Sequence, residues 1–206
     1  VWLTAGGAPT KISTEAIEYL ITQSLSPEDA FLFAFSINGG EYIALRIDSY
    51  CFLYDLITGR WHQRRSNISD VSIPWRVNHV LNVYGELIVG DSASGAIGTL
   101  DNSTTEFSQP IHRQFVLQPF DNKGKHVPLK SVVVAMDSGY DGDMVLSWSD
   151  DGHTWSDGLQ LGAGGVGDYG RHVRWDRLGS ASFSRMLRFG TSTTAECNVN
   201  KVIAVI

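Results

Sequence analysis

The chain has 206 residues, enough for one large all-β domain or two small ones, and its 43% hydrophobic content is ample for a core. Only 18% of residues are charged and the net charge is −6, which argues against a general nucleic-acid binder, since neutralising phosphates takes clustered Lys and Arg. No apolar run approaches the ~18 residues of a membrane-spanning helix, and "VWLTAGG" lacks the basic and apolar regions of a signal peptide.

In chain order, "VWLTAGG" and "PTKIST" read as the remains of an earlier blade. One helix follows in "STEAIEYLITQSL", with Ser13 or Thr14 as N-cap, Glu15 and Glu18 favouring its N-terminal dipole, and an apolar stripe of Ala16, Ile17, Leu20 and Ile21. Pro27 ends it. Four strand patterns then come quickly: "FLFAFSI" (31–37), "EYIALRI" (41–47), "CFLYDLI" (51–57) and "RWHQRRS" (60–66), separated by "NGG", "DSY" and "TG". Tight hairpins of this kind need positive φ, which Gly supplies, and four short antiparallel strands in sequence match one β-propeller blade. The pattern recurs in "RVNHVLNVYG" (76–85), "ELIVGDS" (86–92) and "GAIGTLD" (95–101), with the strand end at Asp55 echoed at Asp101.

After Pro119 the character changes. Beyond the polar stretch "DNKGKH" come six strand candidates, "PLKSVVVAMD", "DMVLSWS", "TWSDGLQL", "RHVRWDRL", "SRMLRFG" and "NVNKVIAVI". Alternation in "RHVRWDRL" sends Val173 and Trp175 to one face, and His172, Arg174 and Asp176 to the other. The expected architecture is all-β: propeller-like blades over residues 1–120, with one short helix near the N-terminus, then an antiparallel β-sandwich over 121–206. The chain lacks an initiator Met and reads as a fragment of a longer protein or a processed product.

"DDGHTW" matches the core of an Asp-box turn through Asp150, Gly152, Thr154 and Trp155, with Trp148 where that motif has its leading Ser. The expected roles are local. Asp150 accepts backbone N–H groups, Gly152 takes positive φ and Trp155 packs under the hairpin. A sialidase would also need an arginine cluster and a Tyr-Glu pair. Arg171, Arg174 and Arg177 do not share a face, and no such pair stands out. "GAGGVG" (162–167) spells a dinucleotide fingerprint, but a strand pattern follows it where a helix is required. "GDSAS" (90–94) lacks the last Gly of a nucleophile elbow. Asp137, Asp141 and Asp143 gather as if for a cation without EF-hand spacing, and the six histidines have no metal spacing. Five tryptophans (Trp61, Trp75, Trp148, Trp155 and Trp175) sit beside or within strands, where core packing is the simpler role than sugar stacking. Cys51 and Cys197 lie in separate strand patterns and read as reduced core thiols. No catalytic residue, cofactor or metal ligand is expected.

Four phrases in order carry a resemblance: "KISTEAIEYLI", "FLYDLITGRWHQRRS", "VYGELIVGDSASGAIGTLD", and "LSWSDDGHTWSDGLQLG" with "VGDYGRHVRWDRLG". Together they resemble the packaged-DNA stabilisation proteins of P22-like short-tailed phages, over nearly the whole chain and corresponding to the C-terminal part of the family's longer protein. The resemblance implies a non-enzymatic virion component, a tail hub or head-completion factor that closes the portal channel. Implied partners are the portal and adaptor ring, the tail needle and the tailspikes, with a homo-oligomeric ring in the virion and neither sequence-specific DNA binding nor a membrane. It implies a location in the virion tail, and in host cytoplasm during assembly, whether phage- or prophage-encoded. The turns at Gly59, Gly85, Gly95 and Gly152 carry over as fold elements only. The competing expectation is a carbohydrate-binding or sialidase-like propeller module.

Overall fold

The structure is a computed structural model that describes residues 1–4, 6–68, 71–137, 142–195 and 197–206. The chain divides into two compact units, Val1–Ser103 and Thr104–Ile206. This division falls earlier in the chain than the expected 120/121, for a reason of pairing. Arg113–Val116 is a strand, and its partners are residues Arg188–Thr191 near the end of the chain.

The first unit opens on a short pair, Trp2–Leu3 with Thr10–Lys11. Helix α1 (Glu15–Gln23) follows, capped by Thr14, whose hydroxyl accepts the Ile17 N–H at 3.4 Å. Of the expected stripe, Ile17 is buried, Leu20 and Ile21 are half-buried, and Ala16 is exposed. Pro27 starts a 3-10 turn over Pro27–Asp29. Strands β1 (Phe31–Ile37), β2 (Gly40–Ile47), β3 (Tyr50–Asp55) and β4 (Arg60–Gln63) then form an antiparallel four-stranded meander. The expected strand 60–66 breaks at Arg64, whose N–H turns to the Cys51 carbonyl at 2.8 Å. Arg65–Ile68 instead pairs with Val71–Pro74.

A three-stranded sheet completes the unit, in the order β7 (Ile97–Thr99), β6 (Glu86–Asp91), β5 (Val77–Val83). Phe33, Phe35, Ala44, Cys51 and Leu53 from the meander pack with Trp75, Val77 and Val89 in a single core cluster. Burial pushes the Cys51 thiol up to about 11, as expected for an inert core thiol; Cys51 and Cys197 are both unbridged.

The two sheets end their third and second strands on the same device. Asp55 accepts the Ile57 and Thr58 N–H groups at 2.8 and 3.2 Å and the Thr58 hydroxyl at 2.8 Å. Asp91 accepts the Ala93 and Ser94 N–H groups at 2.9 and 3.0 Å, and the Ser94 hydroxyl. In each, the Gly four residues on donates its N–H to the carbonyl of the aspartate. Asp91, not Asp101, is therefore the structural counterpart of Asp55. Asp101 caps a separate turn through the Ser103 N–H.

Asp91 does a second job. Its side chain is buried, as is Arg76, and the guanidinium grips both carboxylate oxygens, with Nε at 2.8 Å from Oδ1. The Arg76 backbone is held too: its N–H donates to Ser66 Oγ, and its carbonyl accepts the Ser92 N–H.

The second unit is a sandwich. One sheet has the order β8 (Arg113–Val116), β13 (Ser184–Thr191), β10 (Asp143–Ser149), β11 (Leu159–Gly162), with Phe120–Asp121 also on β13. The other has β9 (Ser131–Met136) between β12 (Val173–Asp176) and β14 (Val199–Val205). Inward residues alternate along each strand: Val132, Val134 and Met136; Met144 and Leu146; Val173 and Trp175; Leu187 and Phe189. The third of the six expected strands, "TWSDGLQL", starts late, at Leu159. Thr154–Gly158 is not strand because the Ser156 hydroxyl takes the Trp148 N–H at 3.0 Å, in place of a backbone carbonyl.

The paired carboxylate sets the first unit's acid sensitivity. Hydrogen bonds from Arg76, then from Ser94 and the Ala93 N–H, hold the Asp91 carboxyl well below the usual carboxylate range. Its contribution is complete above the unfolded carboxyl's pKa of about 3.9 and is lost as pH falls towards the folded value. Asp91→Ala is expected to cost about 3–5 kcal/mol, because it strands a buried guanidinium. Asp55→Ala, at an exposed turn with no arginine, should cost far less. Urea melts at neutral pH and at pH 3 check this. The gap between wild type and Asp91→Ala should narrow in acid.

Candidate functional site

The turn singled out in the sequence lies at the end of β10 and is built differently from the expectation. Asp151, not Asp150, is the clasp. Its Oδ1 accepts the His153 N–H at 2.8 Å, the Thr154 N–H at 2.7 Å and the Ser149 hydroxyl at 2.9 Å. Those bonds, from the Thr154 and His153 backbone first, hold its carboxyl well below the usual range. Ser149 Oγ in turn accepts the Gly152 N–H at 2.9 Å. Gly152 has φ +78°, the left-handed region that favours glycine, as expected.

Asp150 is freed for a long-range role. Alternation along β13 puts Arg185 on the inward face with Leu187 and Phe189, and it is only 4% exposed. Its Nε and Nη2 grip the Asp150 oxygens at 2.6 and 2.8 Å, while Nη1 donates to the Leu178 carbonyl at 2.7 Å. The guanidinium also stands 5.4 Å from the Trp148 ring centre. On the outward face Arg188 lies 4.2 Å from the Trp155 ring centre and donates from Nε to Ser147 Oγ at 2.9 Å. Trp155 is half-buried, packed by an arginine of the neighbouring strand. Two arginines of β13 thus bracket the turn from both faces of the sheet. Arg185 was missed in the sequence, and its only signal was an arginine at a position where the β13 alternation calls for an apolar residue.

Both carboxylates of this turn are engaged, Asp151 by backbone N–H groups and a hydroxyl and Asp150 by a guanidinium. The other candidates disperse in the same way. "GAGGVG" leads from β11 into a loop, and the next element is strand β12, with no helix to hold a pyrophosphate. In "GDSAS" the Ser94 hydroxyl serves Asp91. Asp137 takes the Asn198 and Asn200 amides, Asp143 takes Gln160, and Asp141 lies outside the described residues. Among the described residues no three His, Cys, Asp or Glu side chains are grouped to hold a metal ion. Trp75 and Trp175 are buried and Trp61 is half-buried; Trp61 and Trp175 donate their ring N–H to the Ile12 and Leu159 carbonyls at 2.7 and 2.9 Å. No helix among the described residues is long and apolar enough to cross a membrane.

Asp150→Ala is expected to lower stability by about 1–3 kcal/mol, through the charge it leaves buried rather than through the turn. Arg185→Met in the Asp150→Ala background should recover part of that loss, whereas the same change in the Asp151→Ala background should not. Thermal melts of the four variants check the assignment.

Comparison with known proteins agrees with this distribution of roles. Residues 1–105 match the family model described as bacteriophage P22 Gp10, beta-propeller, and residues 112–206 match that of bacteriophage P22 Gp10, beta-sandwich. No curated protein sequence matches the chain. Two solved structures of the exo-beta-1,3-galactanase from Phanerochaete chrysosporium, one with galactose and one an E208A form with beta-1,3-galactotriose, are 9% and 10% identical to it. The alignments cover 84% of this chain and 56% of each galactanase chain, little more than half its length, at a TM-score of 0.29. A likeness that slight carries no argument about catalysis.

Proposed function

The chain belongs to the bacteriophage P22 Gp10 family, a structural protein of P22-type phages, and from that membership we propose that it acts in head completion, closing the portal channel and stabilising packaged DNA. The observation that carries the reading is the match of both units, in order, to the two Gp10 models. In this reading the protein forms a ring below the portal and its adaptor and helps carry the tail needle and tailspikes. It performs no catalysis.

The charge balance supports a mechanical plug. With a net charge of −6 the protein repels phosphate, so it blocks the channel without adhering to the DNA that must later leave. Turn residues committed to backbone and arginine suit a part that bears load.

The test is a knockout of the gene in its phage. DNA-filled heads made without the protein should leak their genome and become nuclease-sensitive, and adding the purified full-length protein should restore protection. Heads that keep their DNA without it would overturn the proposal. The isolated chain should bind duplex DNA weakly at physiological salt; tight binding that collapses with added salt would count against a repelling plug.

A further inference from the structure

A bare sheet edge leaves a row of backbone N–H and C=O groups open to another strand, and natural proteins guard such edges by shortness, charge, proline or bulges. The two main sheets of the second unit have four edges, and three are guarded. β8, β11 and β12 are four residues long. β8 carries Arg113, β12 carries Arg174 and Asp176 as an exposed ion pair at 2.8 Å, and β11 runs into the glycines of "GAGGVG". The fourth edge is β14. It has seven residues, Val199–Val205, with Lys201 as its one charge. Its irregularity, opposite Ala135 and Met136, lies at its start and leaves Val202 to Val205 in regular register.

Among the described residues, β14 pairs with β9 alone. The Val205 carbonyl accepts the Lys130 N–H at 2.9 Å and so faces β9. By the alternation of an antiparallel ladder, the backbone groups of Ile203 face β9 too, and those of Val202 and Ala204 face the open edge. No described residue bonds to them there. Ile203 and Val205 stand on the outer face of the sheet, each 42% exposed, opposite Val133 and Ser131 of β9. Such an edge is completed by an extended strand. The strand's own sequence fits it. Turned antiparallel about a two-fold axis at Val202, β14 meets a second β14 with Val202 on Val202 and Ile203 opposite Lys201. The outward backbone groups then meet, no like charges are opposed, and Ile203 packs on the Lys201 stem. The far edge of the same sheet, β12, offers no such match, because Arg174 and Asp176 stand on it.

We infer that the free chain pairs with a second copy of itself through β14, joining two three-stranded sheets into one of six strands. The contact is two-fold and closes on itself, so it is independent of the proposed ring. A single strand edge lies under the ~1,200 Å2 of a standard interface, so the pair is weak and concentration-dependent. The test is sedimentation equilibrium of the whole chain over a rising concentration series, with amide hydrogen exchange at both ends of the series. A monomer–dimer equilibrium is expected, with the Val202 and Ala204 amides gaining protection as the dimer forms. Ala204→Pro deletes an outward N–H while sparing the β9 ladder, and should weaken the pair about tenfold or more with the melting temperature of the dilute chain in place. Charge at the exposed Ile203 tests the register. Ile203→Lys sets a lysine against Lys201 of the second copy and should also weaken the pair. Ile203→Glu sets a glutamate against it, twice per dimer, and should strengthen the pair about threefold or more. A chain that stays monomeric throughout overturns the inference. So do open-ended association, protection gained at another edge, or Ile203→Lys and Ile203→Glu moving the equilibrium in the same direction.

Discussion

A guanidinium taken out of water has to be met by a carboxylate, and each unit of this protein meets one with an aspartate from a turn. Arg76 and Arg185 are buried at 8% and 4% exposure, and both are gripped through two nitrogens, by Asp91 and Asp150. Each pair fixes the end of a strand against another part of its own unit: the β6 turn to the segment entering β5, and the β10 turn to β13. Apolar alternation already opposes a one-residue slip, which would turn the core face to solvent, but a two-residue shift keeps the same face inward. A bidentate pair at a strand end adds to that selection, because such a shift would leave a buried charge unanswered. Stability and register are therefore joined at the same four side chains.

Much of the fold was legible because strand alternation is a local signal. Val173 and Trp175 point inward as their spacing requires, α1 starts at a capping Thr14, and both halves of the chain are all-β. The misreadings have a common cause. Asp101 and Asp91 both follow a strand and precede Ser-containing turns, so spacing alone could not separate them; the buried Arg76 does. Asp150 and Asp151 are adjacent and chemically identical, and which one clasps the turn depends on Arg185, distant in sequence. The partner of Arg113–Val116 was not legible at all, because a strand's partner is fixed by tertiary pairing, not by its own residues.

The enzyme-like motifs failed for physical reasons. A catalytic group needs an uncommitted lone pair or proton in a site that can hold substrate. In the Asp-box-like turn and in "GDSAS" the aspartates are engaged by backbone N–H groups, hydroxyls and arginines of the protein itself. Such saturation suits a structural protein, and the P22 Gp10 membership of both units accords with it.

The most direct measurement is a cryo-electron microscopy reconstruction of the phage that encodes this protein, carried to side-chain detail at the junction of head and tail. On the account given above, both units appear as a ring around the DNA channel below the portal, with the Arg76–Asp91 and Arg185–Asp150 pairs intact in every copy. Density for the protein away from the channel axis, or its absence from mature particles, would contradict a channel-closing role.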